Sequence, residues 1–429
     1  MFVYRLKKLT FRQRFVLTLV CLVLFRIGSH IILPFVSRDY LGAMAFNDSL
    51  SLFNTLTGGA FERMSLMALG VTPYITASII IQLLSVVIPK MDEMRREGPV
   101  GQKIMEKWTR RLGLALGFLE ALGMMIGYGR QGLLVPYTWY SVLIAALCIT
   151  AGVGITMFLG YLMTEYFFGN GISLLLFVGI VAQYLSDAGV VWSVSKSGRT
   201  LPVAIVICCL AAAGIFLLFM FTYWLNGCEK KIPIVYNKKL SRDSYSGTYK
   251  SSIPLKLMAG SVVPVIFASA ILTLPALIQS ILHTDVPFLR MFNSSYWFSL
   301  SEPWTNIGII IYCAMIIGFS YFYSMLNMNT IELADNLRKQ GCTIPGIRQG
   351  KSTQEYLDRQ LRYLTLIGGL LLCVIALVPN IVAAVFHVSG LKFLGTSVII
   401  TVSVAAETLV TWDSENKAKV TRLFYTQKK

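Results

Sequence analysis

The chain has 429 residues, of which 55% are hydrophobic and only 14% charged. A soluble domain carries about 25% charged residues, so most of this chain does not face water. No low-complexity linker interrupts it, which predicts one membrane-embedded unit.

Apolar runs of the length a helix needs to cross a bilayer recur along the chain. In order, the expected spans are 15–35, 67–89, 112–129, 140–163, 172–192, 201–225, 259–282, 305–326, 363–386 and 391–411. They are too long for barrel strands and do not alternate, so helices alone can satisfy their backbone in lipid. The first follows Lys7-Lys8 as a signal peptide would, but it runs long and lacks a small-residue cleavage site. It reads as an uncleaved first helix.

Between spans 1 and 2, residues 49–65 are too short in their apolar part to cross, and Gly58-Gly59 predicts a helix stop. Leu50, Phe53, Leu56 and Phe61 share roughly one helical face. The segment lacks the basic face of an interfacial helix, which favours a re-entrant piece over a surface one.

The formal net charge is +17, and its placement decides its meaning. With the N-terminus in the cytoplasm, 30 of the 38 Lys and Arg fall on cytoplasmic segments, 7 on external ones, and Arg26 lies within span 1. That asymmetry is a positive-inside signal and puts both termini in the cytoplasm. The basic charge is therefore mainly topological, not a nucleic-acid footprint. Two long cytoplasmic segments, 226–258 and 327–362, hold 13 of those residues and are candidate docking surfaces.

The eight cysteines show no CxxC pair and lie mostly in spans, so they read as small hydrophobes. The three histidines (30, 283, 387) are far apart, and HExxH, GxSxG and Walker patterns are lacking. No catalytic residue, metal site or cofactor is expected, and energy for any transport must come from a partner. Intramembrane charge is sparse: Arg26, His30, Glu120 and Glu407. This argues against a secondary solute transporter, which normally couples through such groups. Arg26 should pair with a helix end or a neighbouring polar group.

Five spans precede the middle and five follow, so related halves would be inverted in the membrane. Span 2 carries Pro73-Tyr-Ile-Thr-Ala-Ser-Ile-Ile80 and span 7 carries Pro264-Val-Ile-Phe-Ala-Ser-Ala-Ile271, which agree at five of eight positions. The match suits a repeat, although two apolar stretches can agree by chance.

Particular motifs resemble the SecY/Sec61-alpha family of protein translocation pores. They include Phe25-Arg26-Ile27-Gly28-Ser29, Leu56-Thr57-Gly58-Gly59-Ala60, the run Ala68 to Gln82, and Gly169-Asn170-Gly171-Ile172-Ser173. Glu229-Lys230-Lys231-Ile232-Pro233-Ile234, Ile253-Pro254-Leu255, Ala334 to Gly341, Ile344-Pro345-Gly346-Ile347-Arg348 and Gly395-Thr396-Ser397 complete the set, in the family's order.

The resemblance implies an all-α membrane protein with ten transmembrane helices in two inverted five-helix halves, 1–192 and 193–429, plus a re-entrant plug helix. It implies a pore ring of Val71, Ile75, Ile172, Leu176, Ile266 and Ile400. It also implies a plug containing Leu50, Phe53, Leu56, Gly58 and Gly59, and a lateral gate between spans 2–3 and 7–8 that Gln82 would face. A routine interhelical hydrogen bond explains Gln82 equally well. Arg348, Lys230, Lys231, Arg338 and Lys339 would meet the SecA motor ATPase or the ribosome. SecE and SecG are the implied companions, signal sequences and unfolded polypeptides the substrates, lipid the destination of membrane helices, and the cytoplasmic membrane the location. No nucleic acid beyond the ribosome is implied.

The chain departs from the family where Asn329-Thr330 replaces Asn-Pro, where Met258-Ala-Gly-Ser261 has lost an asparagine, and where Leu394 precedes Gly395. The stretch Leu33–Leu41 and the tail after Glu407 are also atypical. These differences leave open an accessory SecY devoted to a few substrates.

Overall fold

The computed structural model of the chain describes residues 10–37, 51–196, 201–236, 250–258, 262–282, 287–292, 297, 303–386 and 394–426. Its long helices are α1 (Phe11–Gly28), α3 (Thr72–Val87), α5 (Pro99–Tyr128), α6 (Trp139–Tyr166) and α7 (Gly171–Lys196), then α8 (Leu201–Gly227), α9 (Val263–Leu282), α10 (Ile307–Asn327), α12 (Lys351–Phe386) and α13 (Leu394–Thr426). Each falls on one expected span. Short helices α2 (Ser51–Thr57), α4 (Pro89–Arg96) and α11 (Thr330–Lys339) lie between them. Among the described residues, six helices are each long and apolar enough to cross a bilayer. The bent pair α3–α4, turned by 107°, makes a seventh. The protein is a multi-pass membrane protein.

Several helices outrun the expected spans. α5 begins 13 residues early, α12 starts at Lys351 instead of 363, and α13 continues to Thr426. Hydropathy registers only the apolar part of a helix, whereas the hydrogen-bond ladder continues into the charged turns beyond it. Serines and threonines inside spans are tolerated because their hydroxyls bond the carbonyl one turn back, as in Thr156→Gly152 and Ser269→Val265, both 2.8 Å.

Helix association in lipid depends on close packing more than on hydrophobic burial. Where α5 crosses α3 and α6, a Cβ on Gly117 would stand 3.3 Å from Val153 Cγ1 and 3.4 Å from Pro73 Cβ. Helices α1, α3, α5, α6 and α7 pack among themselves, as do α8, α9, α10, α12 and α13. The two groups meet where α7 touches α8 and α13, and where α9 touches α5 and α3. One large apolar cluster runs through the middle and takes residues from both groups. A second, around Phe61, Met124 and Leu133, joins Leu33 and the end of the 49–65 segment to spans 2–4.

The two long segments 226–258 and 327–362 fold against each other. β1 (Glu229–Tyr236) pairs antiparallel with β2 (Lys250–Lys256) and, at Val235 and Tyr236, with β3 (Cys342–Thr343). Ile232, Ile234 and Leu255 from the first segment share an apolar core with Leu337, Ile344 and Leu357 from the second. Such strands are short and lie far apart in sequence, so no local period announced their pairing.

Candidate functional site

Proline opens two of the helices that carry the expected ring. Its fixed φ suits a first turn, and its missing N–H would be unpaired there anyway. Pro73 and Pro264 each stand second in their helices, placing Ile75 and Ile266 in the same register, two residues further on. Ile172 and Leu176 occupy the first turns of α7. Gly169, with φ +70°, makes the reversal from α6, and the Gly171 N–H donates to Thr164 Oγ1 at 2.9 Å. Ile400 lies in the second turn of α13.

All six residues enter the single central cluster. Val71, Ile75, Leu176 and Ile400 are buried in it, and Ile172 and Ile266 are half-buried against it. Four separate helices therefore deliver aliphatic side chains, with no charge among them, to one region. A narrow aliphatic constriction dewets and resists ions.

Leu56 joins the same cluster from α2. Phe53 lies on α2, and Leu50 falls outside the described residues. The helix ends at Thr57, and Gly58 and Gly59 take φ of +66° and +80°, a conformation natural to glycine. The expectation that Phe61 shares the face of Leu56 is corrected here. The glycine stop turns the chain, and Phe61 packs into the second cluster, with Leu33, Met124 and Leu133, instead. Asn54 Nδ2 donates to Glu62 Oε2 at 2.9 Å and Asn54 Oδ1 accepts from the Glu62 N–H at 3.1 Å, closing the turn. Arg26 finds its neighbouring polar group: Nη1 donates to the Gly58 carbonyl at 3.0 Å.

A cleft of about 820 Å³ separates α3 and α5 from the end of α10 and from α11. Tyr74, Ser78, Gln82 and Ser85 line one wall, Gln102, Glu106 and Thr109 extend it, and Tyr323, Asn327 and Asn336 face them. Gln82 thus borders the opening between spans 2–3 and span 8. Its Nε2 donates to Ser78 Oγ at 3.1 Å within the same helix, and Oε1 is buried without a partner. The interhelical bond considered from sequence is not formed.

The basic candidates are all exposed. Arg348 follows a turn in which the Ile347 N–H donates to Ile344 O at 3.1 Å with Gly346 at φ +80°. Lys230 donates to Gln360 Oε1 at 2.6 Å, and Lys231 lies 3.5 Å from Glu229 Oε1. Arg338 and Lys339 end α11. The three-strand sheet brings these surfaces onto one module.

Sequence reading missed an aromatic triangle. Phe15 lies near the start of α1, Phe168 in the turn before α7, and Trp412 on α13. Their ring centroids are 6.2, 5.4 and 5.8 Å apart, with edge-to-face geometry. Three aromatics so far apart in sequence leave no local signal.

A profile of the family described as SecY matches residues 65–409. The chain belongs to the SecY family. The protein translocase subunit SecY of Bacillus subtilis strain 168 is 37% identical over 416 residues, covering 94% of each chain. That of Halalkalibacterium halodurans is 36% identical over 410 residues, 93% of each. The SecY fold is seen again in solved structures. A SecY structure whose plug domain is reported to stabilise the closed state and maintain a membrane seal superposes with a TM-score of 0.70 at 21% identity, over 96% of this chain and 93% of that one. Sec61 in the canine ribosome-channel complex gives 0.64 at 18% identity, over 96% and 94%.

Proposed function

We propose that this chain is the channel-forming subunit of a protein translocase, a passive gated conduit for unfolded polypeptide. The observation that carries the reading is the convergence of Val71, Ile75, Ile172, Leu176, Ile266 and Ile400, from four helices, on the cluster that also receives Leu56 of the plug segment. An aliphatic waist passes an extended chain by deforming around it and holds ions back by excluding water. The relatives named protein translocase subunit SecY, similar over nearly their whole length, support the same reading. The accessory-channel alternative gains nothing from the fold.

In this proposal residues 1–192 and 193–429 are the two halves, hinged where α7 meets α8. The cleft beside Gln82 is the cytoplasmic side of the lateral gate, through which signal sequences and membrane helices reach lipid. Both termini and the β-sheet module face the cytoplasm of a cell membrane. Arg348, Lys230, Lys231, Arg338 and Lys339 present the module to SecA or to a ribosome, as the likeness to a ribosome-bound Sec61 suggests. SecE and SecG would accompany the chain, and the energy would come from the motor or the ribosome.

The test is site-directed crosslinking. Ile75→Cys and Ile266→Cys variants, in membrane vesicles, are challenged with a secretory chain stalled in transit. Adducts at both positions are expected. A solute transporter would yield none, and that result would overturn the reading.

A further inference from the structure

The plug segment ends in a backbone junction without slack. A Cβ on Gly58 would lie 2.6 Å from the Gly179 carbonyl oxygen of α7, and one on Gly179 would lie 2.7 Å from the Leu56 carbonyl oxygen. Glycine at both positions lets the end of the plug and α7 touch backbone to backbone. Real Cβ atoms essentially never approach this closely, so any larger residue would push the plug outward.

One charged side chain closes the junction. Arg26 of α1 donates Nη1 to the Gly58 carbonyl at 3.0 Å. Among the described residues no ion pair joins Arg26 to a carboxylate. The Arg63 guanidinium stands nearby, with Nη2 about 4.0 Å from where a Gly59 Cβ would be. Two guanidinium groups therefore flank the Gly58-Gly59 pair, and one of them is satisfied by the plug itself. A guanidinium never loses its charge in a protein, so Arg26 needs an acceptor. When the plug leaves, that acceptor leaves with it, and so does Arg63, which belongs to the same segment.

We propose that Arg26 is a positioning residue, a latch whose hydrogen bond to the Gly58 carbonyl holds the plug in its closed seat and sets how readily the channel opens. The proposal rests on reading residues 49–65 as the plug. In the closed state the bond is made. In the open state it is lost, and that loss favours closure.

The test measures resting ion conductance of the full channel complex in planar bilayers. Four forms are compared: wild type, Arg26→Met, a deletion of residues 51–57, and the two changes combined. Arg26→Met is expected to raise the resting open fraction about tenfold, the change that losing about 1.4 kcal/mol of closed-state preference gives. Arg26→Lys, which keeps the charge and a donor, restores part of the seal. The deletion raises conductance by itself, and Arg26→Met adds nothing to it. If the deletion leaks while Arg26→Met stays as tight as wild type, the latch is wrong and the plug reading survives. If the deletion does not leak, the plug reading fails first. An effect of Arg26→Met undiminished in the deletion also overturns the latch. Should Arg26→Met not assemble, Gly179→Ala presses on the Leu56 carbonyl from the α7 side and must leak; a tight Gly179→Ala channel overturns the proposal.

Discussion

The Thr330 hydroxyl donates to Asp358 Oδ1 at 2.6 Å, tying the first residue of α11 to the N-terminal part of α12. The SecY family resemblance places proline where this chain has Thr330, and the geometry shows why both residues work. Asn329 caps the helix, its Oδ1 accepting from the Glu332 N–H at 3.3 Å, and its backbone is extended. Extended backbone is what a residue before proline prefers, and the first helical position needs no N–H.

Thr330→Val is therefore expected to cost about 1.5–3 kcal/mol, because it removes a hydrogen bond to a charged acceptor. Thr330→Pro loses the same bond but reduces the freedom of the unfolded chain, recovering about 0.4–1 kcal/mol. Thermal unfolding of the purified protein in detergent should rank wild type above Thr330→Pro, and Thr330→Pro above Thr330→Val. A proline variant less stable than the valine variant would contradict this account of the helix start.

The β-sheet module separates packing from recognition. Ile232 is 1% exposed and sits in the core shared by both segments. Ile232→Ala should cost about 2–5 kcal/mol by opening a cavity there. Limited proteolysis would then cleave both segments while the spans stay intact. Arg348 is exposed, so Arg348→Ala should change stability by no more than about 0.5 kcal/mol. Its effect should appear instead as a several-fold loss of partner-driven transport.

Much of this was legible in the sequence because lipid imposes a long apolar period. Every expected span met a helix, Gly58-Gly59 stopped α2, and Arg26 found a polar partner. The ring positions came from motif register around Pro73, Gly171, Pro264 and Thr396, which hydropathy alone cannot supply. What stayed hidden depends on long-range pairing. The β1–β3 bridge joins residues more than a hundred positions apart, and Thr330 meets Asp358 only because α11 folds back along α12. Phe61 was misplaced because helical spacing was carried past a glycine stop that ends the helix.

Gln82 carries a prediction about the cleft. Its Oε1 is buried without a partner, a cost of about 1–3 kcal/mol that the cleft bears in this arrangement. Gln82→Leu removes the cost and makes the seam more apolar. The closed form should become more stable and gate opening rarer, so lateral insertion of a membrane helix slows several-fold in reconstituted vesicles. Faster insertion by Gln82→Leu would show that the glutamine stabilises the closed seam.

Two neighbouring positions on α13 separate a waist from ordinary packing. Ile400 is 2% exposed and lies in the central cluster, whereas Val398 is 0% exposed and packs in a separate cluster with Leu218 and Phe219. An asparagine at either site buries an amide at a cost of about 1–3 kcal/mol, so thermal stability should fall by similar amounts. Only Ile400→Asn brings a polar group to the proposed waist, where it can hold water and let ions follow. Resting conductance should therefore rise for Ile400→Asn and stay at the wild-type level for Val398→Asn. Equal conductance in the two variants would mean that Ile400 only packs, and that the constriction lies elsewhere in the bundle.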